Sequence, residues 1–488
     1  MRKVFLPYFL TLLVFGLGIF ITLHLGVRLQ SVQSGPDQRN LPSISANSPP
    51  DGTVQFIARN IAGASRENLR NPLSVLLLQV IVILATAKIV GGLVRKLNQP
   101  RVVGEMISGI LLGPSLLGWL SPGTMRFIFP PLSLESLGLL SQVGIILFLF
   151  IVGSDLDPKD IRQKLSSVVL ISHASIIVPF FLGMAFSLLI FRSLAPANVS
   201  FTAFALFMGL AMSITAFPVL VRIIAERGLS KSQVGSISLA CAAIGDVTAW
   251  CLLVLVIAIV KTGGWPSALL TILLVLLYIM VMLFVIKPQT DRFILARTKD
   301  ETQSRMLTLS LLLFLFMSAL FTQAIGIHAL FGAFLAGMIL PSDANLRRFL
   351  TDRLELITVS FMLPLFFAYT GLRTQVGLLN DWSSWFTCAG VIAVAILGKL
   401  GGTMLAAYWT GMRRSDSFTL GILLNTRGLM ELIVLNIGYE LGILSPRIFS
   451  MMVLMALSTT FMAGPLLSLV KFQMRKDVEL ANETGIAV

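Results

Sequence analysis

Apolar runs of roughly 18 residues or more recur along nearly the whole chain, each long enough to cross the ~30 Å hydrocarbon layer as a helix. Backbone groups in lipid must bond within their own segment, so the spans are expected to be helices. Composition agrees: 56% of the residues are hydrophobic and 12% charged, against about 25% charged in an ordinary soluble domain. The fold class expected is an all-α, multi-pass membrane protein. Thirteen spans are read, at roughly 73–94, 102–119, 134–154, 166–191, 201–224, 234–260, 267–286, 306–325, 328–341, 356–372, 384–410, 417–438 and 448–470.

The loops test this division, because cytoplasmic loops carry the excess of Lys and Arg. Alternate loops hold Arg95, Lys96, Arg101, then Lys159, Arg162, Lys164, and so on to Lys471, Arg475 and Lys476, a total of 22. The short loops on the other side hold Arg126, Arg192, Lys261, Arg373 and Arg447 alone. The first set is therefore expected to be cytoplasmic, with the C-terminus inside, as in a bacterial inner membrane. A net charge of +14 is explained by this topology, so no nucleic-acid partner is expected. Cys241, Cys251 and Cys388 lie in apolar runs without metal-ligand spacing and are expected to pack. Residues 1–24 read as an N-terminal anchor or signal helix, 25–72 as a flexible extracytoplasmic segment, 73–471 as the transmembrane domain and 472–488 as a short cytoplasmic tail.

Two local likenesses point to an internal duplication. GEMISGILLGP places Gly104, Gly109 and Pro114 at nearly the spacing of Gly332, Gly337 and Pro341 in GAFLAGMILP. LFLFIVGSDLD from Leu147 lines up with LPLFFAYTGLR from Leu363. Both pairs sit seven spans apart, which implies six helices, one linker and six again. An odd linker inverts the second half, and in such folds the site lies near the midplane where the halves meet.

The ionisable residues left inside spans are Lys88, Glu105, Asp246, Lys399, Arg427 and Glu431, with Glu135 at a helix edge. A charge at mid-helix costs about 2.5–3.5 kcal/mol on insertion scales, so such residues face a cavity or a partner. Asp246 is the deepest acid, halfway along its span with apolar residues for two turns on either side. Burial favours the neutral acid while a dehydrated monovalent cation favours the carboxylate, so Na+ or K+ and H+ would compete for one group. Lys399 could be its counter-charge. Arg427 and Glu431 are spaced i,i+4 and could neutralise one another. Glu105 could line the inward approach, and Lys88 is placed to snorkel. His173 and His328 read as peripheral.

Two spans contain helix breakers. In GLAMSITAFPVLVRII, beside Ser213 and Thr215, Pro218 disrupts the turn back to Ile214. In LGILLNTRGLMELIVLNIG, the sequence Asn425, Thr426, Arg427, Gly428 falls at mid-span. By the register of seven these two spans correspond, and paired broken helices are the best sequence pointer to a transporter's site.

The residues resemble the monovalent cation:proton antiporter family 2. The likeness runs over roughly 73–471, on QPRVVGEMISGILLGPSLLG, LFLFIVGSDLD, SITAFPVLVRIIAERGL, GDVTAW, HALFGAFLAGMILP and NTRGLMELIVLNIG. It implies thirteen helices in a mobile core and a scaffold that commonly forms a homodimer. It also implies elevator-like exchange of Na+ or K+ for H+ with no cofactor, Asp246 as the ion-binding aspartate, Thr215 in the crossed unwound helix and Lys399 as the family lysine. The family often has Asp or Asn directly before the key aspartate, whereas Gly245 stands here, so electroneutral exchange is expected. The tail is also too short for the regulatory nucleotide-binding domain many relatives carry.

Other readings fit less well. An intramembrane aspartyl protease needs two membrane aspartates, and Ala243 and Ile244 break the GxGD pattern. A channel would need a filter or a voltage sensor, neither of which is seen. A non-transporting sensor would need an output domain.

Overall fold

The side-chain oxygen of Asn71 accepts from Leu73 N at 3.1 Å and Pro72 takes the first helical position, so a capped helix begins here and runs Pro72–Lys96. The computed structural model describes residues 71–97, 99–155, 165–229, 232–262, 265–295, 301–326, 328–341 and 351–484, which form helices and no strand. The expected anchor, 1–24, and nearly all of 25–72 lie outside the described residues.

Among the described residues ten helices are long and apolar enough to cross a membrane, and the bent pair Arg414–Leu424 and Leu429–Glu440 makes an eleventh if counted as one span. The chain is an integral, multi-pass membrane protein. The two other expected spans take shorter forms. Residues 201–224 divide into Phe201–Ser213, capped by Ser200, and Phe217–Glu226, with 214–216 unwound between them. Pro218 at the start of the second piece has no N–H to carry the ladder across that gap. Residues 328–341 give only Ala329–Met338, a helix of 10 residues. At 1.5 Å per residue it covers about half the hydrocarbon thickness.

Other boundaries moved as well. The span read at 102–119 is helical to Leu112 and again over Leu117–Leu120, and the following expected loop holds the helix Pro122–Ile128. The last helix, Pro446–Thr484, runs past the expected boundary at 471 into the tail. Several spans contain π-helical turns, among them Val281–Ile286, Thr358–Met362 and Leu397–Gly401.

Glycine decides where helices touch. A Cβ on Gly109 would collide with the carbonyl of Phe367, and one on Gly371 with the backbone of Gly109, so helices Arg101–Leu112 and Leu363–Arg373 meet backbone to backbone. In the same way Gly337 and Gly153 bring Ala329–Met338 against Leu134–Asp155, at Phe150 and Phe334. Without a hydrophobic drive between helices in lipid, such close packing is a main source of association. Gly109→Ala and Gly337→Ala should each destabilise the purified protein by about 1–3 kcal/mol, read as a lower unfolding temperature in detergent. Gly377→Ala, where nothing lies within 4 Å of an added Cβ, should leave that temperature unchanged.

Candidate functional site

The helix Phe201–Ser213 stops inside the bundle, leaving its last four carbonyls without intrahelical partners. Each is met by a side chain. Ser213 Oγ donates back to Leu210 O at 2.7 Å. Arg427 Nη1 donates to Ala211 O at 3.0 Å and Nη2 to Met212 O at 2.6 Å. Lys399 Nζ donates to Ser213 O and, at 3.2 Å, to Ser175 O. Two buried basic side chains thus sit at the negative end of a helix dipole, where positive charge is favoured.

The second break crosses the first. Thr215 Oγ1 donates to Leu424 O at 3.1 Å, and Ala216 N donates to Thr426 O at 3.1 Å. Gly428 turns the chain into helix Leu429–Glu440 with φ 158° and ψ −123°, and a Cβ there would lie 3.0 Å from Val219 Cγ2. The expected pairing of two broken helices at Pro218 and Gly428 is therefore present as direct contact between 215–216 and 424–426.

Asp246, on helix Gln233–Thr262, is 1% exposed, and neither carboxylate oxygen has a hydrogen-bond partner. It lines a small cavity with Ile214, Trp250, Leu253, Met430 and Val434, in which ≈ 10 Å³ admits the centre of a water-sized particle. That is room for about one water. Lys399 is close enough to Asp246 to interact with it electrostatically. It projects from the π-helical turn Leu397–Gly401, a local widening frequent at functional sites. Gly398 and Gly402 let this turn lie against Pro179 and Val178.

Arg427 and Glu431 are fully buried and face each other at 3.5 Å. The pair anticipated from i,i+4 spacing exists, but the guanidinium spends its hydrogen bonds on the carbonyls of 211 and 212. Thr460 Oγ1 takes the Arg427 N–H at 2.9 Å and donates to the Arg427 carbonyl, fixing the break to the last helix. Asn425 is buried with Oδ1 unpartnered, and Thr426 Oγ1 caps Leu423 O at 2.7 Å. Glu105 is outside the Asp246 cavity, with Arg222 and Arg101 as its charged neighbours.

Among the remaining sequence candidates, Lys88, Glu135 and His173 are exposed. His328 is not peripheral: it is half-buried, caps Ala329–Met338 and lines a separate cavity. Cys241 and Cys388 are buried as expected, whereas Cys251 is exposed. Trp250, Ser175 and Thr460 were not anticipated. Only Trp250 left a usable signal, standing one helical turn after Asp246 on the same face. Its ring stacks on Phe334 with centroids 5.8 Å apart. Among the described residues Asp246 is the sole buried aspartate, and no group of three or more His, Cys, Asp or Glu is placed to hold a metal ion.

Comparison with known proteins adds the following. Residues 81–473 match the family described as sodium/hydrogen exchanger, transmembrane. The chain is 43% identical over 401 residues to the Na(+)/H(+) antiporter NhaS4 of Synechocystis sp., covering 81% of this chain and 97% of that protein. It is 40% identical to cation/H(+) antiporter 17 of Arabidopsis thaliana, covering 82% of this chain and 48% of the plant protein. It is 34% identical to K(+)/H(+) antiporter 1 of Saccharomyces cerevisiae, covering 83% of this chain and 47% of the yeast protein. The chain thus spans about half the length of the plant and yeast relatives. Its fold is similar to that of the sodium proton antiporter MjNhaP1 from Methanocaldococcus jannaschii, with a TM-score of 0.53 at 16% identity over 79% of this chain and 94% of that one.

The buried charge pair gives a testable consequence. Arg427→Met leaves Glu431 uncompensated and strips two carbonyls of their donors, so it should destabilise the protein by about 3–5 kcal/mol. Adding Glu431→Leu should recover part of that loss, measured as a double-mutant cycle on unfolding of the purified protein.

Proposed function

The chain belongs to the sodium/hydrogen exchanger transmembrane family, and from that premise we propose that it exchanges Na+ or K+ for H+ at Asp246 by alternating access. It is a transporter, not an enzyme. The observation that carries the site assignment is a buried carboxylate with both oxygens unpartnered, in a cavity between two broken helices. Protein donors do not hold the carboxylate in one ionisation state, so a proton and a dehydrated cation can each take it. Thr215, Ser213 and Lys399 frame the site, with Asn425, Thr426, Arg427 and Glu431 in support and Glu105 along the inward approach. The cation is cargo; no resident cofactor is invoked.

Charge accounting favours electroneutral, one-for-one exchange. When one proton and one cation alternate on the Asp246 carboxylate while Lys399, Arg427 and Glu431 keep their charges, proton-loaded and cation-loaded carriers bear the same net charge. Gly245 takes the place where a second carboxylate would stand, although a Cβ there would meet nothing nearer than Ile176 and Ser172 at 3.9 Å.

An inverted 6+1+6 plan of thirteen spans accounts for the packing. Under it the contact of Arg101–Leu112 with Leu363–Arg373 and that of Ala329–Met338 with Leu134–Asp155 are equivalents, each made by the corresponding glycine, Gly109 or Gly337. The same reading makes the protein a homodimer in a bacterial plasma membrane, C-terminus inside, with an elevator-like core bounded by lipid.

In proteoliposomes, Asp246→Asn should abolish cation-dependent dissipation of a pH gradient. In wild type the apparent KM for Na+ or K+ should rise as pH falls, approaching about tenfold per unit, the slope of one-site competition. An unchanged D246N rate would remove the site assignment. Gly245→Asp should make the rate depend on an imposed potential, whereas wild type should ignore it.

A further inference from the structure

A second cavity, largely apolar but edged by polar side chains, lies at the end of the bundle that carries Arg373, the face assigned to the outside by loop charge. Ser141, Gln142, His328, Tyr369, Asn436 and Glu440 line it, and ≈ 20 Å³ of it admits the centre of a water-sized particle, room for one or two waters. Ser141 is 1% exposed and its hydroxyl has no hydrogen-bond partner. A buried hydroxyl left unpaired costs about 1–3 kcal/mol. Its position on the cavity wall identifies a polar occupant as the means of relief.

Arg373 is bonded to three of the residues that line this cavity. Its Nη1 donates to Asn436 Oδ1 at 2.9 Å and to Glu440 Oε1 at 3.0 Å, and Nη2 donates to the Tyr369 hydroxyl. The guanidinium also lies 4.1 Å from the Tyr369 ring centroid and 5.3 Å from that of Tyr439. Asn436 is oriented for this role, because its Nδ2 is used by Thr370 Oγ1 at 2.8 Å and Leu432 O at 2.9 Å. Gly138, whose Cβ would come within 2.8 Å of Tyr369 Cζ, leaves space for the Tyr369 ring. Carboxylate, amide oxygen, hydroxyl and aromatic face are also the ligands a partly dehydrated monovalent cation takes.

We propose that this cavity is a cation antechamber in which Arg373 is a tethered competitor, holding Glu440 and Asn436 until an incoming Na+ or K+ displaces it. The proposal rests on the exchange reading above. Helix Leu429–Glu440 joins the two places: Ile433, Asn436, Ile437 and Glu440 face the antechamber, and Met430 and Val434 face Asp246. Displacing Arg373 removes its bonds between the Leu363–Arg373 helix and the helix that follows the Gly428 break, leaving the Asn436–Thr370 bond as a remaining polar tie. Arrival of a cation is thereby coupled to loosening of the broken span.

The test uses the full-length protein in oriented proteoliposomes. Glu440→Gln should raise the apparent KM for Na+ or K+ roughly tenfold at the Arg373 face and leave it unchanged at the opposite face. Arg373→Met should lower it severalfold at the Arg373 face alone. Equal shifts at both faces, or none at the Arg373 face in either variant, would make the cluster a structural brace and overturn the proposal. A second measurement needs no exchange activity and so stands apart from the role of Asp246. Thermal stabilisation of Asp246→Asn protein by NaCl or KCl, relative to N-methylglucamine chloride, should persist and be removed by Glu440→Gln. Stabilisation indifferent to Glu440→Gln would also overturn it.

Discussion

The four carbonyls that end helix Phe201–Ser213 set the terms for the centre of this protein. A helix that stops within a bilayer exposes acceptors that water cannot reach, and each unmet group costs several kcal/mol. Here one local serine, one arginine and one lysine meet all four. The arginine comes from the other broken span and the lysine from a third helix, so the break is stable only when Trp382–Trp409 and Arg414–Glu440 are packed in place. The buried charges follow from the same need. Arg427 requires Glu431 beside it, and Lys399 stands within the field of Asp246.

This arrangement separates two tasks that would conflict on one residue. Arg427 is committed to backbone acceptors, to Glu431 and, through its own N–H and carbonyl, to Thr460. Asp246 is committed to nothing within hydrogen-bond reach. Neither carboxylate accepts a hydrogen bond, but Glu431 is ion-paired with Arg427, whereas Asp246 lines a cavity. A buried acid without partners would be a defect in a static protein; under the proposed exchange it is the condition for turnover.

Much of this could be read from the residues. The depth of Asp246 and Lys399, the breaks at Pro218 and Gly428 and the i,i+4 placing of Arg427 and Glu431 follow from hydropathy, backbone chemistry and helix geometry. The direction in which Arg427 points could not be read, because its acceptors lie over 200 residues away in sequence. Nor could the π-helical turn at Lys399, which leaves no compositional mark. Residues 328–341 were read as a span because apolar composition carries no information on depth. Helix Ala329–Met338 can be short because glycine lets it lie directly on the backbone of Leu134–Asp155, and its start is capped by His328, which reads as peripheral in the sequence.

The size of the Asp246 cavity bears on how such a site could work. With room for about one water, it cannot offer a hydrated ion its shell, so the ligands must come from the carboxylate and from oxygen atoms at the breaks. Those oxygens are largely spoken for: Leu424 O by Thr215, Thr426 O by Ala216, Ser213 O by Lys399. Asn425 Oδ1 and the two Glu431 oxygens are exceptions, buried and without hydrogen-bond donors. A cation entering this arrangement therefore has to draw on bonds that hold the two broken helices together, while a proton on Asp246 does not. The proposed exchange acquires its link between occupancy and movement from that difference, because the bonds a cation would borrow are the ones that fix the crossing.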